Sequence, residues 1–221
     1  MCNNVLSGPT KTAGKNRIFS AAVLAGGKST RMGRDKAALS FGGTTLLAYQ
    51  AGKLHTLGIE DIMISGSVLE VPGTRFVPDI LPHHGPLSGI HACLTAAVNP
   101  AVLFLSVDTP LIPPELLQKL LDEHTGGVTL LRHGEQIEPL LGVYDRALAG
   151  LCEPVLKSGQ TAVRQLLKQT DIHFVYYEGD ADVFLNCNTP QEYEALSDTP
   201  GPPARHAAPS CHHGTQKHAC R

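Results

Sequence analysis

The 221-residue chain alternates short apolar runs with amphipathic segments, which predicts one α/β domain built on a doubly wound, mostly parallel sheet. Two local features support that class. Ala101-Val102-Leu103-Phe104-Leu105 is a continuous apolar run of the kind buried on both faces of a parallel sheet. A glycine-rich loop directly follows the first apolar run, 18–24, and ligands of such sheets bind outside the carboxyl ends of the strands. The expected organisation is an N-terminal extension over 1–16, the folded domain over 17–197, and a tail over 198–221 rich in Pro, Gly, Ala and His without periodicity.

Residues 18–24 form the first strand, and 38–41 a short extended piece closed by the Gly42-Gly43 turn. Thr44 is placed to cap a helix that carries Leu46, Leu47, Leu54 and Leu57 on one face and stops at Gly58. Strands are expected at 62–64 and, more briefly, at 76–77, followed by a Pro- and His-rich loop over 78–86. A helix over 87–98 leads into the 101–105 strand, and Asp108 lies just past its end. Pro113-Pro114 opens a helix to about His124 that Gly126-Gly127 ends. Strands at 128–131, 140–144 and 173–177, a helix over 162–168 and a terminal helix over 190–197 capped by Thr189 complete the pattern.

Composition excludes several classes. Eighteen Lys and Arg against 20 Asp and Glu supply no bulk charge for nucleic acid or an anionic membrane. No apolar run approaches the ~20 residues of a membrane span, and the polar 1–16 segment lacks a signal-peptide core, so a cytoplasmic protein is expected. The six cysteines are scattered and form no paired framework. His83-His84 lack partners at ligand spacing and read as loop residues, while Cys211, His212, His213, His218 and Cys220 fall in the tail.

The loop Leu24-Ala25-Gly26-Gly27-Lys28-Ser29-Thr30-Arg31-Met32-Gly33-Arg34-Asp35-Lys36 carries the chemistry. Gly26, Gly27 and Gly33 allow amide N–H groups to face an anion, and Arg31 and Lys36 add a planar fork and a point charge for phosphate oxygens. Ala22 stands where a P-loop would need its first glycine, and the glycine spacing does not fit a dinucleotide fingerprint. Asp108 is the candidate ligand for Mg²⁺, a hard ion that takes one or two carboxylates and otherwise phosphate and water.

This loop resembles the nucleotide-binding signature of the molybdenum cofactor guanylyltransferases. The resemblance continues, in order, through His84-Gly85-Pro86-Leu87-Ser88-Gly89-Ile90, Val107-Asp108-Thr109-Pro110-Leu111-Ile112-Pro113-Pro114 and Asn186-Cys187-Asn188-Thr189-Pro190, and covers 18–196. It implies a Rossmann-like nucleotidyltransferase fold and a Mg²⁺-dependent transfer of GMP from GTP to molybdopterin. Pyrophosphate is released, and the product is destined for molybdoenzyme apoproteins or their chaperones. Relatives acting on sugars, isoprenoid precursors or the cytidylyl cofactor tend to carry Ala-Ala-Gly where this chain has Leu24-Ala25-Gly26-Gly27, and the double glycine favours the guanylyl branch over a CTP-using one.

The resemblance also assigns roles. Arg31, Lys36 and Asp108 are the catalytic set, with Asp108 the metal carboxylate. Backbone at Leu24, Ala25, Gly26 and Gly27 faces the nucleotide, as does Asp79, while Ser65 stands where the family has a nucleotide-contacting Asn. Asn186 and Asn188 fall on the acceptor side, where amides can both donate to and accept from a pterin edge; Asn188 also reads as a cap for the following helix. Glu138-Pro139-Leu140 matches a variable segment near the acceptor. A catalytically silent nucleotide-binding carrier remains the non-enzyme alternative, one in which Asp108 would be dispensable.

Overall fold

In the computed structural model, the described residues are 18–26, 35–82, 84–187 and Tyr193. The expected extension over 1–16, loop residues Gly27 and Arg31, Asn188, most of the terminal helix and the Cys/His tail lie outside the described residues.

The first strand, β1 (Ser20–Leu24), is followed by a small hairpin of β2 (Ser40–Phe41) and β3 (Thr44–Thr45), then by helix α1 (Leu46–Thr56). Gly42 and Gly43, at φ 55° and 80°, turn that hairpin. Thr44 therefore pairs with Phe41 as a strand residue, and the expected cap shifts to Thr45, whose hydroxyl accepts from the Ala48 amide at 3.2 Å. Next come β4 (Asp61–Ser65), β5 (Thr74–Phe76), α2 (Pro86–Ala96), β6 (Ala101–Ser106), α3 (Pro114–Glu123), β7 (Val128–His133) and β8 (Gln136–Asp145). Helices α4 (Ala149–Lys157) and α5 (Val163–Leu167) precede β9 (Ile172–Tyr176). The pattern reading does not include α4, which carries the helix breaker Pro154 within it.

Seven strands form one sheet in the order β5-β4-β1-β6-β8-β7-β9. Strands β5, β4, β1 and β6 run parallel; β8 is antiparallel to both β6 and β7, and β9 is parallel to β7. The expected mostly parallel, doubly wound sheet is what the chain forms.

The period of two along each strand divides the core. Ala21, Val23, Ile62, Ile64, Leu103 and Leu105 pack with Leu54 of α1 and Leu117 of α3 on one face. Ala22, Leu24, Met63, Val102 and Phe104 pack with Ile90 of α2 and Cys152 of α4 on the other. Cys93, Cys152 and Cys187 are buried free thiols, and burial pushes Cys93 and Cys152 up to about 12, which leaves them protonated packing groups. Among the described residues no helix is long and apolar enough to cross a membrane.

The edge of the sheet opposite the loops that bear the motifs is fastened by Asp61. Its Oδ2 accepts from the Ser20 hydroxyl at 2.5 Å and the Val98 amide at 3.2 Å, and Oδ1 accepts from Arg75 Nε at 2.9 Å. Arg75 Nη2 also donates to the Ala96 carbonyl at 2.8 Å, so one pair ties β1, β4, β5 and the end of α2 together. Burial pushes the Asp61 carboxyl up, but the bonds from Arg75, Ser20 and Val98 prevail and hold it below its usual value. A carboxylate depressed on folding stabilises above its unfolded pKa of ~3.9 and loses that contribution as pH falls through the folded value. Asp61→Asn should therefore cost about 1–2 kcal/mol in urea unfolding at pH 7. The gap from wild type should narrow below about pH 4, and a pH-independent gap would contradict the assignment.

Candidate active site

Strands β4, β1 and β6 end in register: Leu24 pairs with Ser65 on one side and Ser106 on the other. The chain segments that follow these strands leave the sheet at one level, on the edge where parallel sheets bind ligands. Backbone bonds hold that level, because the Ala25 amide donates to the Ser65 carbonyl at 2.8 Å and the Val107 amide to the Leu24 carbonyl at 3.0 Å. Leu24 and Ala25 are buried, whereas Gly26 is exposed.

Gly66 explains how closely two of these loops approach. It sits at φ 85°, and a Cβ there would come within 2.2 Å of the Gly26 Cα and N. Gly89 of α2 is similarly constrained, since a Cβ would lie 2.6 Å from Ser65 Oγ. The Ser65 hydroxyl in turn donates to Asp79 Oδ1 at 3.4 Å, a long bond that brings together the two positions matched to nucleotide contacts. His84 Nδ1 lies 2.8 Å from the Pro82 carbonyl, in keeping with a loop role for that histidine.

Lys36 and Asp108 meet across the edge. Lys36 opens a short 3-10 turn, Lys36–Ala38, whose N-cap is Asp35; the Asp35 carboxylate accepts from the Ala37 amide at 3.0 Å. Asp35 is thus committed to capping, and Lys36 Nζ lies 3.6 Å from Asp108 Oδ2. Asp108 Oδ1 accepts from the Ser106 hydroxyl at 2.5 Å, which fixes the rotation of the carboxylate. Both side chains keep some exposure, 16% for Lys36 and 27% for Asp108, so the pair is open to a ligand.

The antiparallel β8 brings a second carboxylate to this edge. Its pairing with β7 jumps from Leu130↔Gly142 to Leu131↔Glu138, a bulge that holds Pro139, which has no amide hydrogen to give a ladder. The Tyr144 hydroxyl donates to the Pro139 carbonyl at 2.6 Å. Gln136 Nε2 donates to Glu138 Oε1. Burial, and secondarily the charge of Asp108, push the Glu138 carboxyl above its usual value despite the bond from Gln136. On the other flank the Cys187 amide donates to the Asp108 carbonyl at 2.7 Å, and Asn186 is exposed beside that tie.

Two buried side chains that the sequence reading did not single out support the Asp108 loop from beneath. Gln50 Nε2 donates to the carbonyls of Ser106 at 2.7 Å and Thr109 at 3.1 Å. Lys53 Nζ donates to the Ile112 carbonyl at 2.9 Å and to the Pro110 carbonyl, and lies 4.8 Å from the Tyr49 ring centroid. Their signal was present in the sequence: Gln50 and Lys53 interrupt the apolar face of a helix otherwise made by Leu46, Leu47, Ala51 and Leu54. Gly66 and Ser106 carry no such signal, since a lone glycine and a strand-end serine belong to no pattern.

Among the described residues no group of three or more His, Cys, Asp or Glu is gathered to hold a metal. One partly exposed hard oxygen donor, Asp108, fits a divalent ion whose other ligands come from phosphate and water.

Lys53 is 2% exposed, and burial lowers its ammonium to about 7. The unfolded chain then holds a proton that the folded chain releases between that value and ~10.4, so this group adds stability as pH rises through the window. Compared with Lys53→Met, wild-type unfolding free energy should gain on the variant between pH 7 and pH 10 in matched urea titrations. A constant difference over that range would show that the lysine stays charged.

A family model described as a MobA-like NTP transferase domain matches residues 21–174. The molybdenum cofactor guanylyltransferase of Syntrophotalea carbinolica is 34% identical over 206 residues, covering 88% of this chain and 98% of that protein. Among solved structures, molybdopterin-guanine dinucleotide biosynthesis protein A of Archaeoglobus fulgidus superposes with a TM-score of 0.67 at 21% identity, over 80% of this chain and 96% of that one. A Mycobacterium tuberculosis protein crystallised with manganese has the same fold, with a TM-score of 0.63 at 15% identity over 82% and 99% of the two chains. With the family model spanning most of the domain and a relative matched along nearly its whole length, the chain belongs to the MobA-like NTP transferase family.

Proposed function

We propose that this nucleotidyltransferase moves GMP from GTP to the terminal phosphate of molybdopterin, releasing pyrophosphate and forming the guanine dinucleotide. The observation that carries the reading is the Lys36–Asp108 pair at 3.6 Å on the ligand edge of the sheet. It offers a phosphate charge and a metal carboxylate within one phosphate's reach of each other. The guanylyl reaction named for the Syntrophotalea carbinolica relative supports the choice of acceptor and base.

In this reaction an oxygen of the acceptor phosphate attacks the α-phosphorus of GTP, and the bond from that phosphorus to the oxygen bridging to the β-phosphate breaks. No covalent enzyme nucleophile is needed, because the barrier lies in charge accumulating on phosphoryl oxygens. Bound Mg²⁺ would supply neutralisation of that charge. Asp108 would hold the ion, with Ser106 fixing its carboxylate, while Lys36 exchanges its contact with Asp108 for nucleotide oxygens. Arg31 and the backbone of Gly26 and Gly27 complete the donor side, with Leu24 and Ala25 forming the wall against the base. Asp79, beside Ser65, faces the nucleotide. Asn186, next to the Cys187 tie to the Asp108 loop, serves the acceptor together with Asn188.

Asp108→Asn should lower turnover about 10²–10³-fold at saturating Mg²⁺ with an unchanged far-UV spectrum, since the amide still accepts from Ser106. Near wild-type turnover would remove Asp108 from the reaction and favour the carrier reading. Wild-type protein incubated with molybdopterin, Mg²⁺ and each nucleoside triphosphate in turn should give a guanine dinucleotide by mass from GTP. A product from CTP alone would assign the cytidylyl reaction instead, an outcome to which Ser65 in place of the expected Asn draws attention.

A further inference from the structure

The connection from Val107 to Pro113 joins β6 to α3 and carries Asp108, yet it belongs to no regular element. Such a connection ordinarily relies on water to satisfy its carbonyls. Here the carbonyls of Ser106, Thr109, Pro110 and Ile112 all turn inward, and the only side chains that meet them from α1 are Gln50 and Lys53.

Gln50 is fully buried and Lys53 nearly so. The placement is costly on both counts. A lysine this deep gives up its hydration, and an apolar residue of similar volume is commonly neutral or better at such a site. The Gln50 Oε1 atom is buried without a hydrogen-bond partner among the described residues, a further penalty of about 1–3 kcal/mol. A helix selected only for packing would carry leucine or methionine at both positions, so what these groups return is a fixed path for the loop. The bonds bracket the functional residue: Gln50 grips the chain two residues before Asp108 and one after it, and Lys53 grips two and four residues after it. Asp108 has no freedom to slide along the sheet edge while both hold.

We propose that Gln50 and Lys53 are positioning residues for nucleotidyl transfer, a polar brace from α1 that sets the Asp108 carboxylate at the place where it meets both the divalent ion and Lys36. The inference rests on the function proposed above. It assigns to α1, which contributes no group to the ligand, control over metal affinity.

The test compares Gln50→Leu and Lys53→Met with Leu54→Ala, a cavity variant on the same helix that touches none of the four carbonyls. Mn²⁺ binding in the presence of a non-hydrolysable GTP analogue is read from the electron paramagnetic resonance of free Mn²⁺, and turnover is measured against Mg²⁺ concentration well below each melting temperature. Both brace variants should weaken Mn²⁺ binding about 10-fold or more and lower kcat by a similar factor, as loss of an outer support to a metal ligand does. Leu54→Ala should lose melting temperature but keep Mn²⁺ affinity within about two-fold of wild type. Should Lys53→Met fail to fold, Gln50→Leu alone decides the matter. Unchanged Mn²⁺ affinity in the brace variants, or an equal loss in Leu54→Ala, would overturn the proposal. Failure of the wild-type protein to form any dinucleotide would instead count against the proposed reaction, and the Mn²⁺ comparison would still report on the brace.

Discussion

The site depends on β4, β1 and β6 ending in register at Ser65, Leu24 and Ser106. Because neighbouring strands are locked by evenly spaced backbone bonds, the segments beyond them emerge side by side, and their separations are set by the ladder rather than by the loops. Gly66 lets one segment touch Gly26, and Val107 is tied back to the Leu24 carbonyl. Small residues stand on one flank of this edge, and Asp108 follows the end of β6 on the other. A one-residue slip in either pairing would turn these groups to the opposite face of the sheet and dismantle the arrangement.

Electrostatics follow from that geometry. Lys36 and Asp108 form a partly exposed ion pair at 3.6 Å, so each half-buried charge is offset by the other. Glu138 meets the same field from across the bulge in β8, and its raised pKa reflects burial together with the charge already held by Asp108. Beneath them the polar bonds from Gln50 and Lys53 and the outer tie from Cys187 hold the same loop from two sides.

Much of this was legible in the sequence, and the reasons are local. A short continuous apolar run such as 101–105, in a chain that alternates such runs with amphipathic segments, fits a strand buried inside a sheet, and an acid directly after it falls at the carboxyl edge. Lys36 closes the glycine-rich loop that follows β1, so its place on the same edge, 3.6 Å from Asp108, follows from the order of strand and loop. What the pattern could not convey is non-local. That Thr45 rather than Thr44 caps α1 follows from a hairpin register; that Gly66 is indispensable follows from an approach to Gly26, forty residues earlier; and that α1 braces the Asp108 loop follows from contacts between residues more than fifty positions apart. Pro154 hid α4 because the penalty for a helical proline is offset there by packing of Cys152, Val155 and Leu156 into the core.

The most direct measurement is a crystal structure of the full chain with Mn²⁺ and a non-hydrolysable GTP analogue, with the ion located by its anomalous scattering. The ion is expected in contact with the Asp108 carboxylate and nucleotide phosphate oxygens, with Lys36 turned from Asp108 onto phosphate. An ion held elsewhere, or a nucleotide bound away from the ends of β1 and β6, would contradict this assignment.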